Sequence, residues 1–519
     1  MNREDMLQKL QDRSIVWDFI VIGGGATGVG IAVDAASRGY EVLLLEQSDF
    51  SKGTSSRSTK LVHGGVRYLQ QGNISLVLEA LRERGILMKN APHIVHNLPF
   101  IVPAYDWWES PFYGIGLKLY DALAGKHGFG ASKLLSKAKT IELIPTLEPE
   151  GLNGGVIYHD GQFDDSRLVI NLVRTAADQG GTLLNYVKVT KILKKEDFIT
   201  GVVAHDLEND AEYELKAKSV INAAGAFCDG VRKMDDPQSQ AMIVPSQGVH
   251  IVLDKSFLPG DTAIMVPHTA DGRVLFAIPW HNKVLVGTTD TPIEKTSLEP
   301  HPQKEEIEFL LEHAARYLQK DPAPSDILSA FAGIRPLVKM GDTEKTSAIS
   351  RDHTIHISRS GLLTIAGGKW TTYRKMAQDT IDQAIEIACL DYVPCNSENL
   401  QIHGYHLHAG KFGVLESYGS DAPELESILD EEKGYSEPLH PKMRPLTGEI
   451  VWAVRHEMAR TVEDFLARRT RSLLLDAKSS MEMTEKTAKI MAKELKKKKS
   501  WIKNQVAEYQ KLADDYLVH

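Results

Sequence analysis

The chain has 519 residues, 42% of them hydrophobic and 25% charged, with a formal net charge of −9. These values describe soluble globular domains, two or three at this length, and the acidic balance excludes nucleic acid as the main partner. Cys228, Cys389 and Cys395 have neither metal-ligand nor CxxC spacing, so reduced thiols are expected. The opening residues, MNREDMLQKLQDRS, carry acids and no apolar core, and no apolar run is long enough to span a bilayer. The expected location is cytoplasmic.

Residues 18–46, DFIVIGGGATGVGIAVDAASRGYEVLLLE, predict one βαβ unit. An apolar strand runs into Gly23-x-Gly25-x-x-Gly28, then an Ala/Val-rich helix closed by Gly39 and a second strand ending at Glu46. Gly23 permits the turn, Gly25 lets a pyrophosphate approach the backbone, and Gly28 lets helix and strand pack closely. The helix N-terminus at Ala26 and Thr27 turns N–H groups toward the phosphates. Glu46, followed by Gln47, accepts hydrogen bonds from both hydroxyls of a ribose and repels a 2′-phosphate. The polar loop SKGTSSRSTK follows at 51–60, and its Thr54, Ser55, Ser56 and Lys60 suit further phosphate and ribityl contacts. An extended cofactor fits this better than NAD does, so FAD is favoured.

Next, His63-Gly64-Gly65 supplies backbone that can lie against a flat ring system, and Arg67 and Tyr68 project before a helix over 74–90 with apolar Leu78, Leu81 and Met88. Residues 99–130 combine two Trp with six Tyr or Phe. Two readings of an amphipathic helix over 115–123 stay open: a bilayer-surface contact or a buried part of a substrate cap. Ser166 caps a further helix that Gly180-Gly181 ends, and the strand over 183–189 is expected to return parallel to the first sheet, placing Val189 beside an adenine. The run SVINAAGA, 219–226, offers a second small-residue turn at Ala224 and Gly225.

From 248 to 287 the pattern changes to short strands with hairpin turns at Asp271-Gly272 and His281-Asn282, an antiparallel lid. A helix over 303–318 comes next. Then come Gly333-Ile-Arg335-Pro336, Arg351-Asp352 and Gly367-Gly368-Lys369-Trp-Thr371-Thr372. Beyond 385 the chain turns helical and charged. Glu457, Arg468, Arg469 and Arg471 are expected to pair with the main body, and the lysine-rich stretch 485–503 reads as a solvated helix face.

The motifs GGGATG, KLVHGGVRYL, GQFDDSRL, QGVHIVL, IPW, GTTDT, AGIRPL, SRDH and GGKWTTYRKMA resemble, in that order, FAD-dependent glycerol-3-phosphate dehydrogenases, and VEDFLARRTRSLLLD is similar to that family's helical domain. The resemblance implies an α/β fold: a discontinuous FAD-binding Rossmann-like domain of the glutathione-reductase/D-amino-acid-oxidase type over 15–385. Antiparallel cap segments around 71–155 and 240–325 interrupt it, and a C-terminal helical domain covers 386–519. It implies glycerol 3-phosphate as substrate, dihydroxyacetone phosphate as product, and a quinone, a membrane surface and a second copy of the chain as partners.

The chemistry of the residues agrees. A phosphorylated alcohol needs cations, and Arg67, Arg335, Arg351 and Lys369 come from well-separated segments. His250 is the candidate base, although a lone strand histidine is more often structural. Lys369, beside glycines, can stabilise an anionic reduced flavin, and Tyr68 can hydrogen-bond the substrate. Asp290 reads as a loop acid or a cofactor-side group. Competing readings are an oxidase of the same fold that passes electrons to oxygen, and an enzyme acting on an amine or amino acid.

Overall fold

The computed structural model describes residues 1–65, 73–106, 109–125, 128–267, 274–339 and 352–519. Arg67, Tyr68, Arg351 and the Asp271-Gly272 turn lie outside them. Among the described residues one sheet has eight strands and a second has ten.

The first sheet runs, in spatial order, His353–Ile357, Leu363–Gly367, Ala211–Asn222, Val16–Ile22, Val42–Leu45 and Thr182–Leu184. The last five are mutually parallel. Such a sheet must be covered on both faces, and its strands read as continuous apolar runs. Phe19 and Val21 point into a core shared with the helices Ala26–Ser37, Asp165–Asp178 and Tyr373–Ile387. Ile20 and Ile22, on the other face, join Leu7, Leu10, Val187 and Val202.

The strand expected over 183–189 is in fact two. Thr182–Leu184 joins the parallel sheet, but Tyr186 takes a left-handed backbone (φ +57°), and Val187–Lys195 leaves to pair antiparallel with Phe198–Asp206. Asn185 fixes the break, its side-chain amide donating to Asp49 and to the Met458 carbonyl.

The second sheet runs Thr291–Pro292, Ile243–Asp254, Lys283–Gly287, Leu275–Trp280, Ala263–Val266, Val95–Ala104, Gly154–Phe163 and Leu61–Val62, and Ile327–Val338 pairs with Ile243–Asp254 off this path. The antiparallel expectation holds except at one seam, where Ala263–Val266 runs parallel to Val95–Ala104 and joins the two cap segments. His281 and Asn282 both have positive φ (+45° and +60°), the signature of a type I′ hairpin turn. Helix Lys304–Ala315 begins in a capping box between Gln303 and Glu306. Helix Ile74–Asn90 forms as expected but turns Leu78 outward; its buried stripe includes Val77, Leu81 and Leu87.

The C-terminal helices Glu449–His456, Ala477–Glu494 and Lys499–Asp514 pack against the second sheet, where Phe465, Leu473, Met483 and Tyr509 share a core with Ile278, Leu285 and Phe331. The expected ion pairs are present and buried. Arg468 and Arg469 both reach Asp49, Arg471 reaches Asp165, and Glu457 pairs with Arg167. Helix Glu109–Ala124 buries Tyr113, Leu117 and Tyr120, while Phe112, Ile115 and Leu119 face outward.

Candidate active site

A cavity of about 330 Å3 lies over the carboxyl ends of the parallel strands. Gly23, Gly25, Ala26, Thr27, Glu46, Gln47, Thr54, Ser55, Val189, Ala224, Gly225, Gly368 and Lys369 line it, so those expected cofactor contacts meet in one place. Glycines and alanines form part of its wall, with larger side chains such as Met234, Trp370 and Met376 beside them. Gly28 stands just behind them: a Cβ there would lie 1.9 Å from the Gly23 carbonyl oxygen, so only glycine lets the helix cross the strand this closely. At Gly367 and Gly368 successive left-handed residues (φ +76° and +78°) turn the chain along the cavity edge.

Glu46 accepts hydrogen bonds from the backbone N–H groups of Gly24 (2.6 Å) and Ser48 (2.8 Å). Burial raises its pKa above the usual carboxylate value. Ala26 N–H donates to the Ser55 hydroxyl at 2.9 Å, which ties the helix N-terminus to the following polar loop. Lys52, from the same loop, also lines the cavity, and its ammonium bridges Glu299 (2.7 Å) and Glu463.

A second cavity, about 250 Å3, adjoins the first and shares with it Thr54, Pro336, Lys369 and Trp370. His250, Arg335 and Lys369, expected at the substrate, line it; so do His63, Gly333 and Thr371, which were expected at the cofactor, and Arg57, Ser58, Thr59 and Phe276, which nothing in the sequence assigned to this cavity. His250 sits mid-strand in Ile243–Asp254, opposite Phe331 on one neighbour and Gly287 on the other. Its Nε2 lies 3.0 Å from the Thr59 hydroxyl, and its ring stacks on Phe331. Burial, together with Lys60 and Arg335, holds the imidazole pKa well below 6.5. Arg335 is fixed as a fork: Nη2 donates to the Thr289 carbonyl (2.9 Å) and Thr288 hydroxyl (3.1 Å), and Nη1 to the Gln247 carbonyl (3.3 Å) and Asp290 (3.4 Å).

Several expected cofactor contacts lie elsewhere. Lys60 lines neither cavity, because its ammonium turns inward to Asp165 (2.7 Å). Ser56 donates to the Gly53 carbonyl (3.3 Å), and Thr372 to the Lys369 carbonyl (3.3 Å). Gly64 gives its N–H to the Tyr120 hydroxyl (2.7 Å) on helix Glu109–Ala124, and neither it nor Gly65 lines either cavity. Asp290 is a loop acid, in the connection between strands Lys283–Gly287 and Thr291–Pro292, and lines neither cavity: it accepts from Ser246 and Arg335. Arg57 was quoted only as part of the loop; it meets Glu299 through both carboxylate oxygens (2.5 and 2.6 Å). Thr59 was equally hidden, since nothing local in a Ser/Thr-rich loop says which hydroxyl reaches a strand 191 positions away.

Comparison with known proteins fits this geometry. The family described as FAD dependent oxidoreductase matches residues 18–374, and the C-terminal domain of alpha-glycerophosphate oxidase matches 362–501. The mitochondrial glycerol-3-phosphate dehydrogenase of Schizosaccharomyces pombe is 39% identical over 95% of this chain and 86% of its own length. The human mitochondrial enzyme is 40% identical over 95% of this chain and 72% of its own. The chain belongs to the FAD-dependent glycerol-3-phosphate dehydrogenase family. The crystal structure of the Bacillus halodurans glycerol-3-phosphate dehydrogenase complexed with FAD superposes with a TM-score of 0.81 at 30% identity, covering 99% of this chain and 97% of that one. The fold is shared more distantly with L-proline dehydrogenase from P. horikoshii (TM-score 0.55, 18% identity). In this family the cofactor is FAD, and the first cavity fits it: a glycine-walled channel, an acid at the end of the second strand, and a helix N-terminus between them.

Proposed function

We propose that the chain oxidises glycerol 3-phosphate to dihydroxyacetone phosphate, with the alcohol in the second cavity and FAD held by the residues of the first. What carries this reading is the convergence of His250, Arg335 and Lys369, from two strands and a glycine turn, on a cavity continuous with the dinucleotide cradle. Bound FAD supplies the hydride acceptor. The neutral His250 takes the hydroxyl proton at Nε2, the nitrogen beside the cavity-lining Thr59. Arg335, its Nη hydrogens held by four acceptors, presents a fixed positive charge to an anionic substrate, and Lys369 adds a cation at the boundary between the cavities. Arg67, Tyr68 and Arg351 complete the substrate contacts in this proposal.

Electrons pass to a membrane quinone. Phe112, Ile115 and Leu119, outward on one helix with Leu134 nearby, supply apolar surface for a peripheral bilayer contact. Among the described residues no helix is long and apolar enough to cross a membrane. The proposed compartment is cytoplasmic, at the membrane face, whereas relatives are named mitochondrial; fractionation of the source cells decides between them, and light scattering tests the proposed homodimer.

The central test is anaerobic. Glycerol 3-phosphate added to the FAD-loaded protein should bleach the flavin band. A flavin that stays oxidised with glycerol 3-phosphate yet is reduced by an amine or amino acid would replace the substrate. Peroxide formed in step with turnover would replace the acceptor.

A further inference from the structure

Behind His250 stands a buried cation that the oxidation itself does not use. Lys60 has no exposed surface; its ammonium donates to Asp165 (2.7 Å) and to the Ser56 carbonyl (2.8 Å). The same ammonium lies 5.3 Å from the ring centroid of Phe331 and 5.2 Å from that of Trp280. Phe331 is the cross-strand partner of His250, their rings 5.1 Å apart and within 16° of parallel. Thr59, the residue before Lys60, is the one that bonds His250 Nε2. Two successive residues of the cofactor loop therefore meet the base, one through a hydrogen bond and one through a shared aromatic ring.

A buried ion pair is seldom a better stabiliser than apolar side chains of the same volume. Its placement beside a base is therefore the feature to explain. Asp165 does not depend on Lys60 for compensation, since Arg471 donates to it at 2.9 Å and Ser58 does so through both its N–H and its hydroxyl. Resting on the assignment of His250 as the base, we propose that Lys60 is a positioning residue, its charge holding the imidazole neutral and its contact with Phe331 holding the ring in place before substrate arrives.

The charged groups acting on His250 are few. From the loop comes Lys60, and from strand Ile327–Val338 comes Arg335. Strand Lys283–Gly287 presents Gly287 to the imidazole and contributes no charge there. Lys369 lines the same cavity. Asp290 answers Arg335 and Asp165 answers Lys60, and among the described residues no carboxylate pairs with His250. Burial brings the Lys60 pKa down to about 8 against the pull of Asp165, so its charge is present through neutral pH.

The test is the rate of anaerobic flavin reduction by saturating glycerol 3-phosphate, followed from acid to alkaline pH, in the wild type, Lys60→Met and Lys60→Arg. In Lys60→Met the acid limb of the profile should move up by about one pH unit, the shift expected when one nearby charge is removed from a buried site. Lys60→Arg should return the limb toward its wild-type position. Superposable limbs in the wild type and Lys60→Met overturn the proposal, as does a uniform fall in rate at every pH, which is what a purely structural role would give. Should Lys60→Met fail to hold FAD, Lys60→Gln, which also removes the charge but keeps a polar side chain, is measured in its place, and superposable acid limbs in it and the wild type overturn the proposal. If glycerol 3-phosphate reduces none of the proteins, the substrate reading has failed instead, and the same pH series is run with the compound that does reduce the flavin.

Discussion

The two adjoining cavities are built by opposite means. The cofactor cradle takes part of its wall from glycines and alanines at strand ends and turns, which matter chiefly by being small. The polar part of the substrate cavity comes from side chains brought together from distant segments, such as Thr59, His250 and Arg335, which hydrogen bonds hold in place. Added volume should therefore destroy the first, and lost charge or hydrogen bonding the second. The most severe test of that contrast is Gly28→Val. Even its Cβ would meet the Gly23 carbonyl oxygen at 1.9 Å, so the protein should purify without its yellow cofactor. Gly53→Ala, in the same cradle but with nothing within 4 Å of the added methyl, should keep FAD. Equal flavin content in the two variants would break the contrast.

The substrate side gives way differently. His250→Ala should retain FAD, because the histidine lines only the second cavity, yet slow flavin reduction by roughly 10²- to 10⁴-fold, the usual worth of a general base. Rapid-mixing absorbance measures both quantities in one sample. Unchanged reduction kinetics would remove His250 from the chemistry and leave it a packed core residue on Phe331.

The same contrast explains what the sequence disclosed. The cradle was legible because its chemistry is local: the glycine spacing, the helix and Glu46 lie within thirty residues and obey one period rule. The separate motifs of the substrate side could be matched to a family, but their internal wiring could not be read. Lys60 illustrates the limit. In a polar loop beside a dinucleotide motif, a lysine reads as a phosphate ligand, and only the fold shows that Asp165, from a helix more than a hundred positions away, draws it inward. Val189 was placed at the cavity even though its strand was assigned to the wrong partner, because the break at Asn185 and Tyr186 leaves the residue over the same sheet edge.

The C-terminal domain sharpens the comparison, because it grips the cradle by charge. Asp49, with no exposed surface, accepts from Arg469 at 2.7 and 3.0 Å and from Arg468 at 2.5 Å. Burial alone would raise its pKa, but Arg469 and Arg468 bring it down from 3.8 to about 2. A carboxylate depressed on folding adds stability that is complete above its unfolded pKa and disappears as pH falls through the folded value. Here the window runs from about 4 down to about 2, and the contribution is about 2 kcal/mol. In urea unfolding, Asp49→Asn should be less stable than the wild type by at least that amount near pH 6, with the gap narrowing toward pH 3. A gap independent of pH would mean that packing, not the carboxylate charge, joins the two parts.

The smallest expected effect falls on Asp290, which touches no cavity and reaches the substrate side only through Arg335. Asp290→Asn keeps the volume and one acceptor oxygen but removes the charge that steadies Nη1, while Thr288, Thr289 and Gln247 still hold the remaining donors. Losing one charged hydrogen bond of this length corresponds to about 1 kcal/mol, so KM for glycerol 3-phosphate should rise about fivefold, with kcat and flavin content little changed. The direction matters more than the size. If Arg335 acts as a prearranged cation, loosening its support weakens substrate binding. If KM falls instead, the freed guanidinium grips the phosphate better than the restrained one, and the hydrogen bonds behind it serve the fold rather than the site.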